Sequence, residues 1–218
     1  MTFIGFLLLF SVVCGILDAK ARKGDGKMFA GHFGLAAAVK AKTPEVPLWA
    51  LVVSTQLLDV VFVPLFLAGA ETMEPVGAGG YGESIIHADY SHSLLGALLI
   101  SLLAGWIGGR LWGMRGGLVI AALAFSHWLL DLAVHRTDMP ILPGNTGDLP
   151  LLGFGLWTSA SASIAVEAIL LAVGFFLYTR SMVGAKGVKS NRGIRFAAIG
   201  TMGGLLVLSL LADVLGIG

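Results

Sequence analysis

The chain has one cysteine, few charged residues and no cluster of basic residues. Cys14 alone forms neither a disulfide framework nor a cysteine-based zinc knuckle, so any metal site must use histidine and carboxylate side chains. Without a basic block the chain cannot neutralise a row of phosphates, and we expect no nucleic-acid partner. Only 12% of its 218 residues are charged and 56% are hydrophobic, which is typical of a membrane protein.

Apolar segments of nearly the length that a bilayer crossing needs, about 20 residues, recur along the chain. Proline and glycine turn signals separate them. The run at 31–39 is shorter, and whether it crosses stays open. We predict an all-α fold, a polytopic membrane helical bundle of six to seven transmembrane helices. The six longer segments are roughly 3–18, 47–69, 91–109, 116–134, 158–179 and 196–216.

Three regions are predicted along the chain. Residues 1–27 form an N-terminal membrane helix and a basic linker, 28–180 form the helical core with the metal site, and 181–218 form a basic loop and a C-terminal membrane helix. The first segment has the length of a signal peptide. It lacks a basic beginning and a small-residue cleavage signal, so we interpret it as an uncleaved helix.

Lysine and arginine residues are distributed unequally between the two sides of the predicted bundle. If 29–42 crosses, nine of the 14 lie on one side, which the positive-inside rule makes cytoplasmic. The two longest loops, 70–90 and 135–157, then face the periplasm or exterior. They keep this orientation if 29–42 does not cross, because the later helices are unaffected.

All five histidines lie at helix ends that point to this outer side. Successive helices leave one side and return to it, so residues early in one helix and late in the next lie at similar depth. Ionisable groups in hydrocarbon are costly, so they should face the bundle interior and find partners there. The residues that should meet in this way are His32, Asp59, His92, His127 and Asp131.

His127 and Asp131 are neighbours at i and i+4 on one helix face, close enough to reach one cation. The segment HADYSHS adds His87 and Asp89, which a loop can return to the helix mouth beside His92. Histidine and aspartate suit zinc or another divalent first-row metal. We therefore predict a divalent metal site, with zinc as the first candidate, whose charge would cancel that of the buried acids.

Further ionisable residues lie near this group in the predicted arrangement. His135 follows His127 by about 12 Å of helix rise, too far to share its ion. With Asp89 and Asp138 it is predicted to form a rim or a second site. Glu167, about nine residues into its helix, would lie at a depth similar to the cluster. Asp59 or Glu167 would serve as general base if it is not a ligand.

The order of these residues resembles the YdjM-like family of membrane-bound metal-dependent hydrolases, polytopic proteins of the bacterial inner membrane. The pieces that carry the resemblance are MFAGHFG at 28–34, LLDVVF at 57–62, HADYSHSLLGALL at 87–99, FSHWLLDL at 125–132 and GLWTSASASIAVEA at 155–168. Matched residue by residue, the resemblance implies the metal ligands His32, Asp59, His87, His92, His127 and Asp131, with Glu167 as a further candidate. A looser likeness of the family to zinc-dependent phospholipase C implies phosphoester substrates.

Three functions fit these observations, and each has the lipid bilayer as a partner. The first is a metal-dependent hydrolase that acts on a lipid or another membrane-proximal ester or phosphoester through activated water. The second is a proton- or metal-coupled transporter, since intramembrane His, Asp and Glu also mark ion paths. The third is a non-catalytic subunit of a larger membrane complex whose histidines hold a metal, a pigment or haem. The third stays open because LLDVVF has one carboxylate, Asp59, where the family shows an acidic doublet.

Overall fold

The computed structural model describes residues 30–76, 84–184 and 192–215, and within these ranges the protein is mostly helical. The all-α class predicted from the sequence is confirmed. The predicted helix 3–18 and the rest of the predicted N-terminal region, residues 1–27, lie outside the described residues. The helices are α1 (Gly31–Lys40), α2 (Leu48–Thr55), α3 (Leu57–Ala68), α4 (Leu94–Val134), α5 (Ala160–Gly184) and α6 (Arg192–Leu215).

Three of the described helices, α4, α5 and α6, are long and apolar enough to cross a membrane. The helices α2 and α3 meet at Gln56 with a bend of 53°, and together they pass as a fourth candidate span. The predicted number of six to seven spans is not confirmed. Helix α1 has only 10 residues, about half of what a crossing needs.

Local sequence signals explain several helix boundaries. The side chain of Ser93 accepts a hydrogen bond from the backbone N–H of Gly96 at 3.0 Å, which caps the first turn of α4. Pro47, whose fixed φ suits the start of a helix, precedes α2. Helix α3 ends at Gly69, whose φ of 77° is the left-handed conformation that glycine adopts without steric cost.

Helix α4 is interrupted in its middle and reverses direction there. Trp112 has φ −128°, and Gly113 has φ 74° and ψ 172°, which are not helical values. A Cβ on Gly105 would lie 2.6 Å from the Cβ of Ala121, although a straight helix would separate these two positions by about 24 Å. The two halves of α4 therefore pack against each other as an antiparallel hairpin.

We call these halves the first arm (94–111) and the second arm (114–134) of α4. Glycines let the arms approach closely, since a Cβ on Gly117 would lie 2.5 Å from the carbonyl oxygen of Gly105. The arms correspond to the predicted segments 91–109 and 116–134. Their reversal returns the second arm to the start of the first.

Helices α1 and α5 are also in close contact through glycine. A Cβ on Gly34 would lie 2.5 Å from the carbonyl oxygen of Leu170, and a Cβ on Gly174 would collide with the backbone of Gly34. Positions 167, 170, 171 and 174 share one helix face by their spacing. Glu167 therefore lies one turn before the point where α5 contacts α1.

A short β-hairpin connects α3 to α4, and the sequence did not predict it. Strand β1 (Thr72–Pro75) pairs antiparallel with β2 (Ser84–His87), so that Thr72 lies opposite His87. Strands of four residues are too short to show a clear alternating pattern. The hairpin brings the chain back to the end of α3 just before α4 begins.

Gly174→Ala is expected to lower the stability of the detergent-solubilised protein by about 1–3 kcal/mol, the usual cost of overpacking. Thermal unfolding followed by circular dichroism measures the effect. Gly204→Ala on α6 is the matched control: among the described residues nothing lies within 4 Å of the added methyl group, and alanine favours helix over glycine. Equal stability of the two variants would contradict the close contact between α1 and α5.

Candidate metal centre

Five of the predicted site residues converge from three helices and from the turn before α4. Helix α1 supplies the imidazole of His32, and the turn supplies that of His92. Helix α3 supplies the carboxylate of Asp59, and the second arm of α4 supplies the side chains of His127 and Asp131. All are buried except the α3 carboxylate, which is half-buried. The five residues are His32, His92, Asp59, His127 and Asp131.

Four of these side chains direct one atom each toward a common point. The Nε2 atoms of His92 and His127 are 3.4 Å apart. Asp59 Oδ1 lies 3.5 Å from the first and 3.6 Å from the second. Asp131 Oδ2 lies 3.3 Å and 3.0 Å from the same two nitrogens. Five of the six separations among these four atoms thus fall between 3.0 and 3.6 Å.

This spacing fits a tetrahedral metal site. Ligand atoms at about 2.0–2.1 Å from one zinc ion in tetrahedral geometry lie about 3.3–3.4 Å from one another. Two imidazole nitrogens and two carboxylate oxygens are also a donor set that divalent first-row metals accept. The buried His/Asp cluster could therefore hold a metal ion.

The carboxylate of Asp131 faces two sides. While its Oδ2 points to the four-atom group, its Oδ1 lies 3.4 Å from His32 Nε2. The ring of His32 stacks on that of His127 with centroids 4.0 Å apart. His32, His127 and Asp131 form a second group that could hold a metal ion. Both groups contain His127, whose Nε2 can ligate a single ion, so the two groups are alternative ligand sets for one metal.

The bend between α2 and α3 orients His127. Its Nδ1 lies 2.6 Å from the carbonyl oxygen of Thr55, the last residue of α2. The last carbonyls of a helix have no partner within the helix, so the break at Gln56 leaves this oxygen available. A carbonyl only accepts, so the Nδ1 of His127 carries the proton and Nε2 keeps its lone pair for a metal.

Three residues that the sequence analysis missed position this site. Trp128 Nε1–H donates to the carbonyl oxygen of His92 at 2.9 Å and joins the second arm of α4 to the turn before the first. Glu71 is buried between α3 and β1, and its carboxylate accepts from the backbone N–H of Ser91. Burial raises the pKa of Glu71 above its ordinary value, and hydrogen bonds from Ser91 oppose this shift.

The third missed residue, Asp213, lies on α6. The backbone N–H of Ala30 donates to Asp213 Oδ2 at 2.7 Å. Ala30 precedes α1, where unpaired N–H groups and the helix dipole favour a negative charge. Asp213 thereby holds the end of α1 that carries His32. A lone acid in an apolar helix was the signal that could have found it.

His87, predicted as a ligand, belongs to neither metal-binding group of the described residues. It ends β2 with its side chain 41% exposed, and its Nε2 lies 3.7 Å from Glu74 Oε1 on the neighbouring strand. The hairpin, which the sequence did not predict, holds it on this strand pair. Asp89 is partly buried, and its carbonyl oxygen accepts from the N–H of Gly144 at 2.9 Å.

His135 and Asp138 form a buried pair instead of an open rim. His135 Nδ1 lies 2.9 Å from Asp138 Oδ1. The N–H of Ile86 donates to the other carboxylate oxygen at 3.0 Å, and the ring of Trp157 lies 4.5 Å from that of His135. The imidazole of His135 is 6.2 Å from that of His92 between ring centroids, so the pair lies next to the cluster.

Exposure within the cluster is uneven. The side chain of Asp59 is 25% exposed, whereas those of His92, His127 and Asp131 are at most 5% exposed. Val60, the next residue on α3, is exposed as well. The cluster is thus open on the side of α3.

Comparisons with models of protein families, with curated proteins and with solved structures give no match for this chain. The class that the fold and the site define is a helical protein with candidate membrane spans and a buried His/Asp cluster that could hold a metal ion.

His127→Ala and Asp131→Ala are expected to lower the bound metal of the purified protein to less than about a tenth of the wild-type content, because each removes an atom of the four-atom group. Metal content after dialysis against trace zinc is measured by mass spectrometry, and circular dichroism checks folding. His87→Ala is the matched control and should keep full metal content. Equal loss in His87→Ala would contradict its exclusion from the cluster.

Proposed function

We propose that this protein is an integral-membrane, metal-dependent hydrolase that acts on a lipid or another membrane-proximal ester or phosphoester. The motifs that resemble the YdjM-like family support this proposal. The observation that carries it is the spacing of three buried donor atoms, 3.0–3.4 Å apart, with the more exposed carboxylate of Asp59 on the fourth side of the group. Zinc is the metal that we propose, since it combines tetrahedral geometry with histidine and aspartate ligands.

The side chains have distinct roles in this proposal. His92, His127 and Asp131 hold the metal, because they are almost fully buried and their donor atoms lie 3.0–3.4 Å apart. Bound divalent zinc would acidify water and polarise the scissile bond. Glu167 is buried on α5 near the contact with α1, and we assign it to the side of the site where His32 lies.

Asp59 is the residue that we assign to proton transfer. Its Oδ1 lies 3.5 and 3.6 Å from the Nε2 atoms of His92 and His127. Asp131 Oδ2 lies slightly closer to the same atoms, at 3.3 and 3.0 Å. Asp59 is also the most exposed member of the cluster, with its side chain 25% exposed, so its other oxygen can accept a proton from water beside a substrate. Glu167, which is completely buried, is less well placed to meet a substrate.

The surface beside Asp59 favours an amphiphilic substrate. Val60, next to Asp59, and Leu67, seven residues further along the same face of α3, are exposed. In a bilayer the apolar side chains on this face would contact lipid tails. A lipid whose polar group reaches Asp59 from the side would keep its tails in hydrocarbon.

We further propose a place and an orientation for the chain. The cluster faces the periplasm or exterior of a bacterial inner membrane, as the distribution of lysine and arginine predicts. If each arm of α4 crosses once, then α2 with α3, the two arms, α5 and α6 supply five of the proposed six to seven crossings.

The zinc-loaded protein in nanodiscs is expected to hydrolyse at least one member of a panel of ester and phosphoester lipids. Chelation should abolish product formation, and added zinc should restore it. Asp59→Asn should lower kcat by about 100-fold or more, because the general base is lost, while the bound zinc remains. Products are measured by mass spectrometry.

Glu74→Gln is the control for this experiment, because Glu74 is an exposed acid outside the cluster. Its rate should equal that of the wild type. A wild-type protein that holds one zinc ion per chain and yields no product from any lipid of the panel would argue against the hydrolase.

The bend of 53° between α2 and α3 favours a second candidate, a proton- or metal-coupled transporter. Interrupted helices line ion sites in transporters, and Asp59 lies three residues after the break at Gln56. Zinc uptake into proteoliposomes measures this activity. We expect no zinc uptake by the wild type above that of empty liposomes. Uptake by the wild type that Asp59→Asn abolishes would support the transporter instead.

A further inference from the structure

We propose that Glu71 is a positioning residue of the metal centre, which fixes the ring orientation and the tautomer of His92 through the hydroxyl group of Ser91. This inference deepens the proposed function, because it rests on the metal site. Glu71 is not among the predicted site residues. It reaches the cluster through the turn before α4.

The three side chains form a continuous buried chain of hydrogen bonds. Ser91 Oγ lies 2.8 Å from His92 Nδ1 and 3.0 Å from each carboxylate oxygen of Glu71. Glu71 Oε1 also accepts from the backbone N–H groups of Tyr90, at 2.9 Å, and Ser91, at 2.7 Å. Glu71 and Ser91 are each 1% exposed, so water does not compete for these contacts.

The chemistry of these groups sets the direction of each hydrogen bond. An ionised carboxylate only accepts, so the hydroxyl of Ser91 donates its single proton to Glu71. The oxygen of Ser91 is left to accept from His92 Nδ1–H. A neutral imidazole with its proton on Nδ1 has a lone pair on Nε2. That Nε2 is the atom of His92 which lies in the four-atom group.

The two imidazoles of this group are thus held in the same tautomer by different acceptors. The Nδ1 of His127 faces the backbone carbonyl of Thr55, whereas that of His92 faces a hydroxyl with a carboxylate behind it. A carboxylate behind a ligating histidine raises the basicity of the ligand. Glu71 precedes β1 and Ser91 follows β2, so the hairpin brings the two residues together.

A purely structural role for Glu71 is the alternative, in which the carboxylate only ties the backbone of Tyr90 and Ser91 to the end of α3. Glu71→Gln distinguishes the two roles. The two backbone N–H groups occupy both lone pairs of the amide oxygen, so the amide NH₂ donates to Ser91 Oγ. The hydroxyl then donates to His92 Nδ1, which forces the proton onto Nε2 and blocks the metal.

The experiment compares the wild type, Glu71→Gln, Ser91→Ala and the double variant, with Glu74→Gln as an exposed control on the same hairpin. Zinc affinity is measured in detergent by competition with a chromogenic chelator. Glu71→Gln should weaken zinc binding by about 10- to 100-fold, as loss of a partner behind a metal ligand does. Ser91→Ala should weaken zinc binding by a smaller factor. The double variant should bind zinc as Ser91→Ala does, because without the Ser91 hydroxyl nothing donates a proton to His92 Nδ1.

A second readout needs no metal. Nitrogen-15 NMR is recorded on histidine-labelled, zinc-free protein that carries Asp59→Ala and Asp131→Ala, because these two carboxylates face Nε2 and would compete for the ring proton. At a pH high enough to keep the ring neutral it reports the tautomer of His92, whose signal is assigned by its loss in His92→Ala. We expect Nδ1–H in the protein that keeps Glu71 and Nε2–H in the one that also carries Glu71→Gln. The same tautomer in both proteins, or additive losses of zinc affinity in the double variant, would overturn the inference. If the two proteins show these respective tautomers but the wild type binds no metal, the proposed function is refuted instead.

Discussion

The buried carboxylate of Asp131 imposes the strongest constraint on the structure. A carboxylate out of water is unfavourable unless charged or hydrogen-bonding partners surround it. The Oδ2 atom of Asp131 lies 3.3 and 3.0 Å from the Nε2 atoms of His92 and His127, so that a cation held between these atoms would compensate its charge, and its Oδ1 lies 3.4 Å from His32 Nε2. These partners require α4 to reverse and α1 to lie deep in the bundle. The glycines that allow both close approaches therefore serve the same centre as the histidines.

Much of the cluster was predictable because its geometry is local or follows from depth. The i and i+4 spacing of His127 and Asp131 places both on one helix face. The alternation of helix direction brings residues from separate helices to one level, and the structure does bring His32, Asp59 and His92 beside that pair. Proline and glycine signals also separated the two arms of α4 at nearly the correct residues.

The β-hairpin explains what could not be predicted. Its strands have only four residues, and short strands give no clear periodicity. Because the hairpin was not predicted, we expected His87 to lie beside His92, its neighbour in sequence. In the structure, pairing of β2 with β1 holds His87 beside Glu74. The same pairing brings Glu71 to Ser91, a contact between positions far apart in sequence that no motif indicates.

The bond between Ala30 and Asp213 relates the site to the order of synthesis. His92, His127 and Asp131 lie within or just before one helical hairpin, so this half of the site forms from a continuous stretch of chain. The start of α1, two residues before His32, is held by a carboxylate on α6, which is made after all other described helices. The start of α1, and with it His32, therefore gains this support only after α6 has been synthesised, later than the three residues in and just before α4.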